Sequence, residues 1–88
     1  MHAYDDASAE ALAEAISARD RFPAFNSAHE GASVLREEFE EMWDEVKRDD
    51  LEAAIVEAIQ VGAMAIRFIA DMRVKRDASA TFGIGTRQ

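Results

Sequence analysis

Residues 51–75 carry more apolar side chains than one face of a helix can hold, which limits the ways this chain can fold. At about 100° per residue, one apolar face passes through Ala54, Val61 and Phe68, and a second passes through Ile59 and Ile66. A helix on the surface of a globular protein has a single apolar stripe. The pattern therefore predicts a helix over 51–75 that is buried on two sides, once within the chain and once against another subunit.

A second helix is predicted over 27–47. Asn26 and Ser27 offer N-caps, and Glu30 follows Ser27 by three residues, which is the capping-box pattern. Apolar residues in this stretch alternate at spacings of four and three, as in the seam of a helix that packs on another helix. The seam consists of Ala28, Ala32, Leu35, Phe39, Met42 and Val46. This pattern predicts that Phe39 lies in the core.

A shorter helix is predicted over 6–21, with Asp5, Asp6 or Ser8 as its N-cap. Pro23 ends it, because proline disfavours helical geometry at the preceding residue. The expected inner face is weak and consists of Ala9, Leu12, Ala13 and Ile16.

Basic residues followed by acidic ones over 47–50 predict a tight turn between antiparallel helices. We therefore predict an all-α fold with one domain over 1–76, a helical hairpin preceded by a short helix. Residues 77–88, rich in Ala, Ser, Thr and Gly, are expected to form a flexible tail.

The chain has 88 residues and no cysteine, so disulfides and thiolate metal sites are excluded. A domain of this size hides only about 60% of its unfolded surface when it folds alone. We expect a homodimer or homotetramer in which hairpins form a four-helix-bundle-like assembly. A formal charge of -8 argues against nonspecific binding of nucleic acid or anionic membranes. With neither a signal-peptide pattern nor about 18 consecutive apolar residues, a cytoplasmic location is expected.

Four carboxylates lie within the five residues 37–41, where their mutual repulsion costs stability unless water, cations or partners offset it. They form either a solvated face or a metal site. Glu38, Glu41 and Glu45 make a stripe beside the apolar seam, at the edge of an interhelical groove where oxygen ligands can converge on a hard cation.

The third helix carries one polar stripe, interrupted by a methionine. Its members are Glu57, Gln60, Met64, Arg67 and Asp71. If the two long helices pack antiparallel, this stripe faces the groove that holds the glutamates. Alternatively, it is the solvent face of the helix.

Glu37-Glu38-x-x-Glu41 followed by Glu57-x-x-Gln60 resembles the paired signature of the MazG-like all-α nucleoside triphosphate pyrophosphohydrolases, which is EExxE followed by ExxD. The resemblance extends over roughly residues 24–73. It implies hydrolysis of a nucleoside triphosphate to the monophosphate and pyrophosphate.

The resemblance also implies the roles of particular residues. Glu37, Glu38, Glu41 and Glu57 would be ligands of Mg²⁺, or of Mn²⁺, with Glu38 and Glu41 as the catalytic pair. Magnesium suits such a site because it prefers about six oxygen ligands and is held by carboxylates together with substrate phosphates. Arg67 or Lys75 would contact phosphate oxygens. Trp43 would stack on the base, unless it serves only in packing.

Gln60 departs from the pattern, which has aspartate at this position. A neutral amide offers a cation one carbonyl oxygen without the compensating charge, so Gln60 changes the metal site or removes catalysis. One alternative to the triphosphate hydrolase is therefore a catalytically degenerate oligomer that binds nucleotides or acts as a regulatory scaffold. Hydrolysis of a phosphoribosyl nucleotide is a second alternative, because the phosphoribosyl-ATP pyrophosphohydrolases resemble this group in size and in their acidic helices.

Overall fold

The computed structural model describes residues 2–82, which form three α-helices and contain no strand. The helices are α1 (Ala3–Arg21), α2 (Ala28–Lys47) and α3 (Leu51–Phe82). The predicted all-α fold is confirmed. Both α1 and α2 pack on α3, so α3 is the central element of the chain.

The N-terminus of α1 lies three residues earlier than predicted. His2 is the N-cap, and its side chain accepts a hydrogen bond from the Tyr4 backbone N–H at 3.1 Å. Asp5 and Asp6 lie in the first turn, where their negative charges interact favourably with the helix dipole and stabilise α1. The helix ends at Arg21 because Phe22 has extended geometry before Pro23.

The capping box at the start of α2 is present with one change. The Glu30 backbone N–H donates to Ser27 Oγ at 3.0 Å, as the pattern requires. The Glu30 carboxylate accepts from the Asn26 N–H at 2.6 Å, one residue before the usual donor. Glu30 therefore fixes the connector between α1 and α2, residues 22–27, to the first turn of α2.

The turn between α2 and α3 is a Schellman motif followed directly by an N-cap. Asp49 has a left-handed backbone with φ of 60°. The Asp49 N–H donates to the Val46 carbonyl at 3.0 Å, and the Asp50 N–H donates to the Glu45 carbonyl at 3.1 Å. Asp50 Oδ1 then accepts from the Ala53 N–H at 3.0 Å and caps α3. This short turn makes the two long helices an antiparallel hairpin.

Helix α3 is longer than predicted. It has 32 residues and continues beyond Lys75 to Phe82. No glycine or proline occurs between Gly62 and Gly83, so nothing in this segment interrupts a helix. Residues 77–82 of the predicted tail are therefore helical, and the rest of that prediction, 83–88, lies outside the described residues.

The core is small and formed largely by alanines, with Phe25 and Met64 as its larger members. On α1 the predicted inner face is wrong: Ala9, Leu12, Ala13 and Ile16 are all exposed. Ala15 and Ala18 are the buried residues of α1. Small side chains let α1 approach α3 closely, whereas the predicted face was centred on the larger side chains of Leu12 and Ile16.

The face that α2 turns to α3 also differs from the predicted seam. Phe39 is 46% exposed and Val46 is 43% exposed, so the prediction that Phe39 is a core residue is wrong for the single chain. Gly31 is buried and Glu38 is half-buried. The contact face is therefore rotated from the seam toward the carboxylate stripe, which brings glutamates into the α2–α3 groove.

By length and composition, Leu51–Ser79 meets the requirements for a membrane-spanning helix, with a mean hydropathy of 1.7 over an 18-residue window within it. Core helices of globular proteins have the same property. In this chain the segment forms the helix on which the other two pack.

Candidate metal centre and adjoining cavity

The polar stripe of α3 lies inside the protein. Arg67 and Met64 are buried, and Glu57 and Gln60 are half-buried. The interpretation of this stripe as a solvent face is therefore wrong. It faces the groove between the helices because the α2–α3 hairpin is antiparallel.

Three glutamates come together across this groove. Glu38 and Glu41 lie one turn apart on α2, and Glu57 projects from α3. One carboxylate oxygen from each lies within 4.8 Å of those of the other two. We call these three residues the carboxylate cluster.

The carboxylate cluster raises the pKa of two of its members. Burial raises the pKa of Glu38, and the charges of Glu41, Glu57, Glu37 and Glu14 add to this effect. Burial also raises the pKa of Glu57, followed by the charge of Glu41, a hydrogen bond to Glu41 and the charge of Glu45. For both residues, partial desolvation in the groove is the larger cause and the neighbouring negative charges are the smaller one, and both causes favour protonation.

The donor set of the carboxylate cluster suits a hard divalent cation. Magnesium holds oxygen ligands at about 2.0–2.1 Å, so ligands on opposite sides of the ion are about 4.2 Å apart. The carboxylate oxygens lie within 4.8 Å of one another, which is close to that distance. Glu41 is exposed, which leaves a side of the cluster open to water and to a ligand.

Glu37 does not belong to the carboxylate cluster. Its side chain is exposed, and it acts on Glu38 through its charge. Of the four carboxylates predicted as metal ligands, the structure brings together Glu38, Glu41 and Glu57.

A cavity of about 530 Å³ adjoins the carboxylate cluster. Glu38 belongs to both, because it also lines the cavity together with Gln60 and Arg67. The other walls come from α1, the connector between α1 and α2, and the facing sides of α2 and α3. They are Glu14, Ala18, Arg21, Phe22, Pro23, Ala24, Phe25, Glu30, Val34 and Met64.

Arg67 is the buried cation of this cavity. One terminal nitrogen donates to the Pro23 carbonyl at 2.9 Å, and the other contacts Met64 Sδ at 3.6 Å. The guanidinium lies 4.3 Å from the centroid of the Phe25 ring. Its Nε is buried and has no hydrogen-bond partner. Among the described residues, no carboxylate lies within ion-pair distance of Arg67.

Two residues near the cavity were not predicted as part of a site. Asp71 accepts a hydrogen bond from the Phe25 backbone N–H at 3.0 Å and so holds the connector on α3. Glu14 lines the cavity from α1 and pairs with Arg21 at 3.1 Å. The signal for Glu14 was its spacing of four from Ala18, which places the two residues on the same face of α1. That face can be recognised as the inner one only when Ala18 is known to be buried.

Lys75 and Trp43 do not line the cavity. Lys75 is exposed on α3, and Trp43 is 48% exposed on α2 with Lys47 Nζ 6.0 Å from its ring centroid.

The chain matches no protein-family model, and searches of curated proteins and of solved structures also find no match.

Proposed function

We propose that this protein is a MazG-like nucleoside triphosphate pyrophosphohydrolase, which hydrolyses a nucleoside triphosphate with Mg²⁺ or Mn²⁺ to a monophosphate and pyrophosphate. The observation that carries the proposal is the convergence of Glu38, Glu41 and Glu57 beside a cavity of about 530 Å³. A cavity of this size is typical of small-molecule sites.

Glu38, Glu41 and Glu57 would hold the divalent cation, with Glu37 as an outer negative charge. When bound, the cation supplies charge neutralisation for the triphosphate and for the pyrophosphate that leaves. The acidic chain needs such a cation, because its own carboxylates repel a polyanionic substrate.

The residues of the chain orient the water and the substrate in this proposal. Glu38 and Glu41 accept hydrogen bonds from the attacking water and hold it in line with the bond to pyrophosphate. The oxygen of that water bonds to the α-phosphorus, the bond from the α-phosphorus to the bridging oxygen breaks, and pyrophosphate leaves with that oxygen. The protons of the water pass to the carboxylates and to solvent. Roles for Lys75 in phosphate contact and for Trp43 in stacking stay predictions, since neither lines the cavity.

The second candidate function is that of a catalytically degenerate oligomer that binds nucleotides or acts as a scaffold. One observation favours the oligomeric assembly. Large apolar side chains are exposed on the single chain, among them Phe39, Trp43, Leu51 and Ile55. An oligomer would cover such residues. We include in both candidates a homodimer or homotetramer in which hairpins form a four-helix bundle.

We also propose a cytoplasmic location. In its support, Arg67 and Asp71 of the apolar helix α3 bond to the connector. Polar groups of α3 thereby have partners within the protein fold.

The experiment that tests the proposed reaction is ³¹P NMR of a panel of ribo- and deoxyribonucleoside triphosphates, incubated with the protein and Mg²⁺ or Mn²⁺. We expect pyrophosphate and monophosphate as products, with no reaction in excess chelator. Diphosphate and inorganic phosphate as products would contradict the proposed bond cleavage. Failure to consume any substrate would favour the binding or scaffold candidate.

A further inference from the structure

We propose that the cavity beside the carboxylate cluster binds the planar base of a nucleotide, with Gln60 and Arg67 as its hydrogen-bonding residues. The choice of a nucleotide rests on the proposed function. The choice of the base over the phosphates rests on the geometry of the cavity.

The walls of the cavity suit a flat, weakly polar ring. Phe22, Phe25, Val34 and Met64 supply apolar surface on several sides. Aromatic and thioether groups make favourable contacts with the face of a heterocycle. Because Glu38 lies in both the cavity and the cluster, a nucleotide with its base in the cavity can direct its phosphates toward the cluster.

Both terminal nitrogens of Arg67 are held by the protein. One donates to the Pro23 carbonyl and the other to Met64 Sδ, which fixes the guanidinium in the wall of the cavity. Each terminal nitrogen carries a second N–H, and a ring nitrogen or carbonyl oxygen of a base in the cavity can accept from one of them. A buried guanidinium N–H without an acceptor costs the desolvation of the group, so the cavity has a free-energy reason to bind an acceptor.

The charges around the cavity also favour the base. Glu14 and Glu38 both line it, and their carboxylates repel phosphate. The same carboxylates accept hydrogen bonds from the exocyclic amine of a base. Arg21 pairs with Glu14 at 3.1 Å and so leaves little net positive charge on that wall.

Gln60 acquires a role by this assignment. Its amide has both donors and an acceptor, the combination that reads the edge of a base. An aspartate at this position would add another negative charge beside Glu57. Glutamine stands where the family signature has aspartate, and its neutral amide suits a residue that contacts the base.

The test uses methionine methyl groups as local probes. Met64 lines the cavity, whereas Met42 and Met72 do not and serve as internal references. Protein labelled with ¹³C at the methionine methyls is titrated in chelator with nucleosides, and separately with ribose 5-phosphate and with pyrophosphate. We expect nucleosides to shift the Met64 signal and to leave the Met42 signal in place. A Met64 shift caused only by the phosphate compounds, or no Met64 shift at all, would overturn the proposal.

Variants identify the residues responsible. Gln60→Leu should weaken nucleoside binding about tenfold, as expected for the loss of a buried hydrogen bond. Arg67→Lys, which removes the guanidinium N–H groups but keeps the charge, should do the same, while Arg73→Lys on the exposed side of α3 should have no effect. If Arg67→Lys does not fold, Gln60→Leu still decides, and unchanged affinity in it would contradict the role of Gln60.

The two proposals fail separately. Pyrophosphate release without a nucleoside-induced shift at Met64 would contradict the proposed base site and support the proposed hydrolase. A nucleoside-induced shift at Met64 in protein that hydrolyses no substrate would contradict the proposed hydrolase and support the proposed base site.

Discussion

Gly31 lies where α2 meets the aromatic rings of Phe68 and Phe25. A Cβ at Gly31 would lie 2.7 Å from Phe68 Cδ2 and 3.0 Å from Phe25 Cδ2. A glycine at this position therefore allows α2 to approach α3 and Phe25 closely.

We predict that Gly31→Ala lowers the free energy of unfolding by about 1 kcal/mol. The gain in helix propensity is about 1 kcal/mol, and the cost of overpacking is about 1–3 kcal/mol. Gly62→Ala is the matched control, because its Cβ would meet only Ala11 Cβ at 3.3 Å. Urea denaturation measures both variants, and a stabilised Gly31→Ala protein would contradict the packing described here.

Glu38 and Glu57 make the stability of the metal-free protein depend on pH. Their pKa values in the folded state lie above the ordinary value of 4.5, so the folded state binds more protons than the unfolded state just above that pH. Their contribution is therefore fully present below pH 4.5 and is lost as the pH rises through the folded pKa values.

We predict that Glu38→Gln stabilises the metal-free protein at neutral pH by on the order of 0.5 kcal/mol, because it removes like-charge repulsion in a partly exposed site. It should also reduce the loss of stability between pH 4.5 and neutral pH. Denaturation in chelator across this range measures both effects. A Glu38→Gln protein that is less stable than the parent would show that Glu38 has a structural partner.

At the level of residues, the sequence predicted the carboxylate cluster better than the core. Spacing, together with the expected antiparallel packing of the two long helices, placed Glu38, Glu41 and Glu57 on facing stripes. It could not reveal that Arg67 bonds the connector or that Asp71 accepts from the Phe25 N–H, since both contacts join residues more than forty positions apart.

At the scale of elements, the turn between α2 and α3 contains a non-glycine residue in a left-handed conformation. Glycine adopts this conformation without the steric cost that a side chain adds. We predict that Asp49→Gly raises the free energy of unfolding by about 0.5–1 kcal/mol. Thermal or urea denaturation measures the change, and destabilisation by Asp49→Gly would indicate a role for the Asp49 side chain.

Helix types and most of their ends were predictable because caps and breakers are local. Ser27 with Glu30 fixed the start of α2, and Pro23 fixed the end of α1. The faces of the helices were not predictable in the same way. Alanine is small enough to lie at a close helix contact or on the surface, so Ala15 and Ala18 could be recognised as buried only once the position of α3 was known.

At the scale of the molecule, the single chain leaves large apolar residues exposed on all three helices. We predict that the protein sediments as a dimer or tetramer at micromolar concentration. Phe39→Glu should shift it toward monomer, because a charge in a buried interface is unfavourable. Tyr4→Glu is a suitable control, since Tyr4 is 81% exposed near the chain start. A well-folded monomer in the parent protein would contradict the assembly.

The measurement that tests the central claim most directly is the rate of pyrophosphate release with Mg²⁺ by Glu38→Gln and Glu40→Gln proteins, compared with the parent. The two substitutions make the same chemical change on one helix, but Glu40 is exposed and pairs with Arg36 at 3.3 Å outside the carboxylate cluster. We predict that release is lost in Glu38→Gln and retained in Glu40→Gln. Equal rates in the two variants would contradict a catalytic site at the carboxylate cluster.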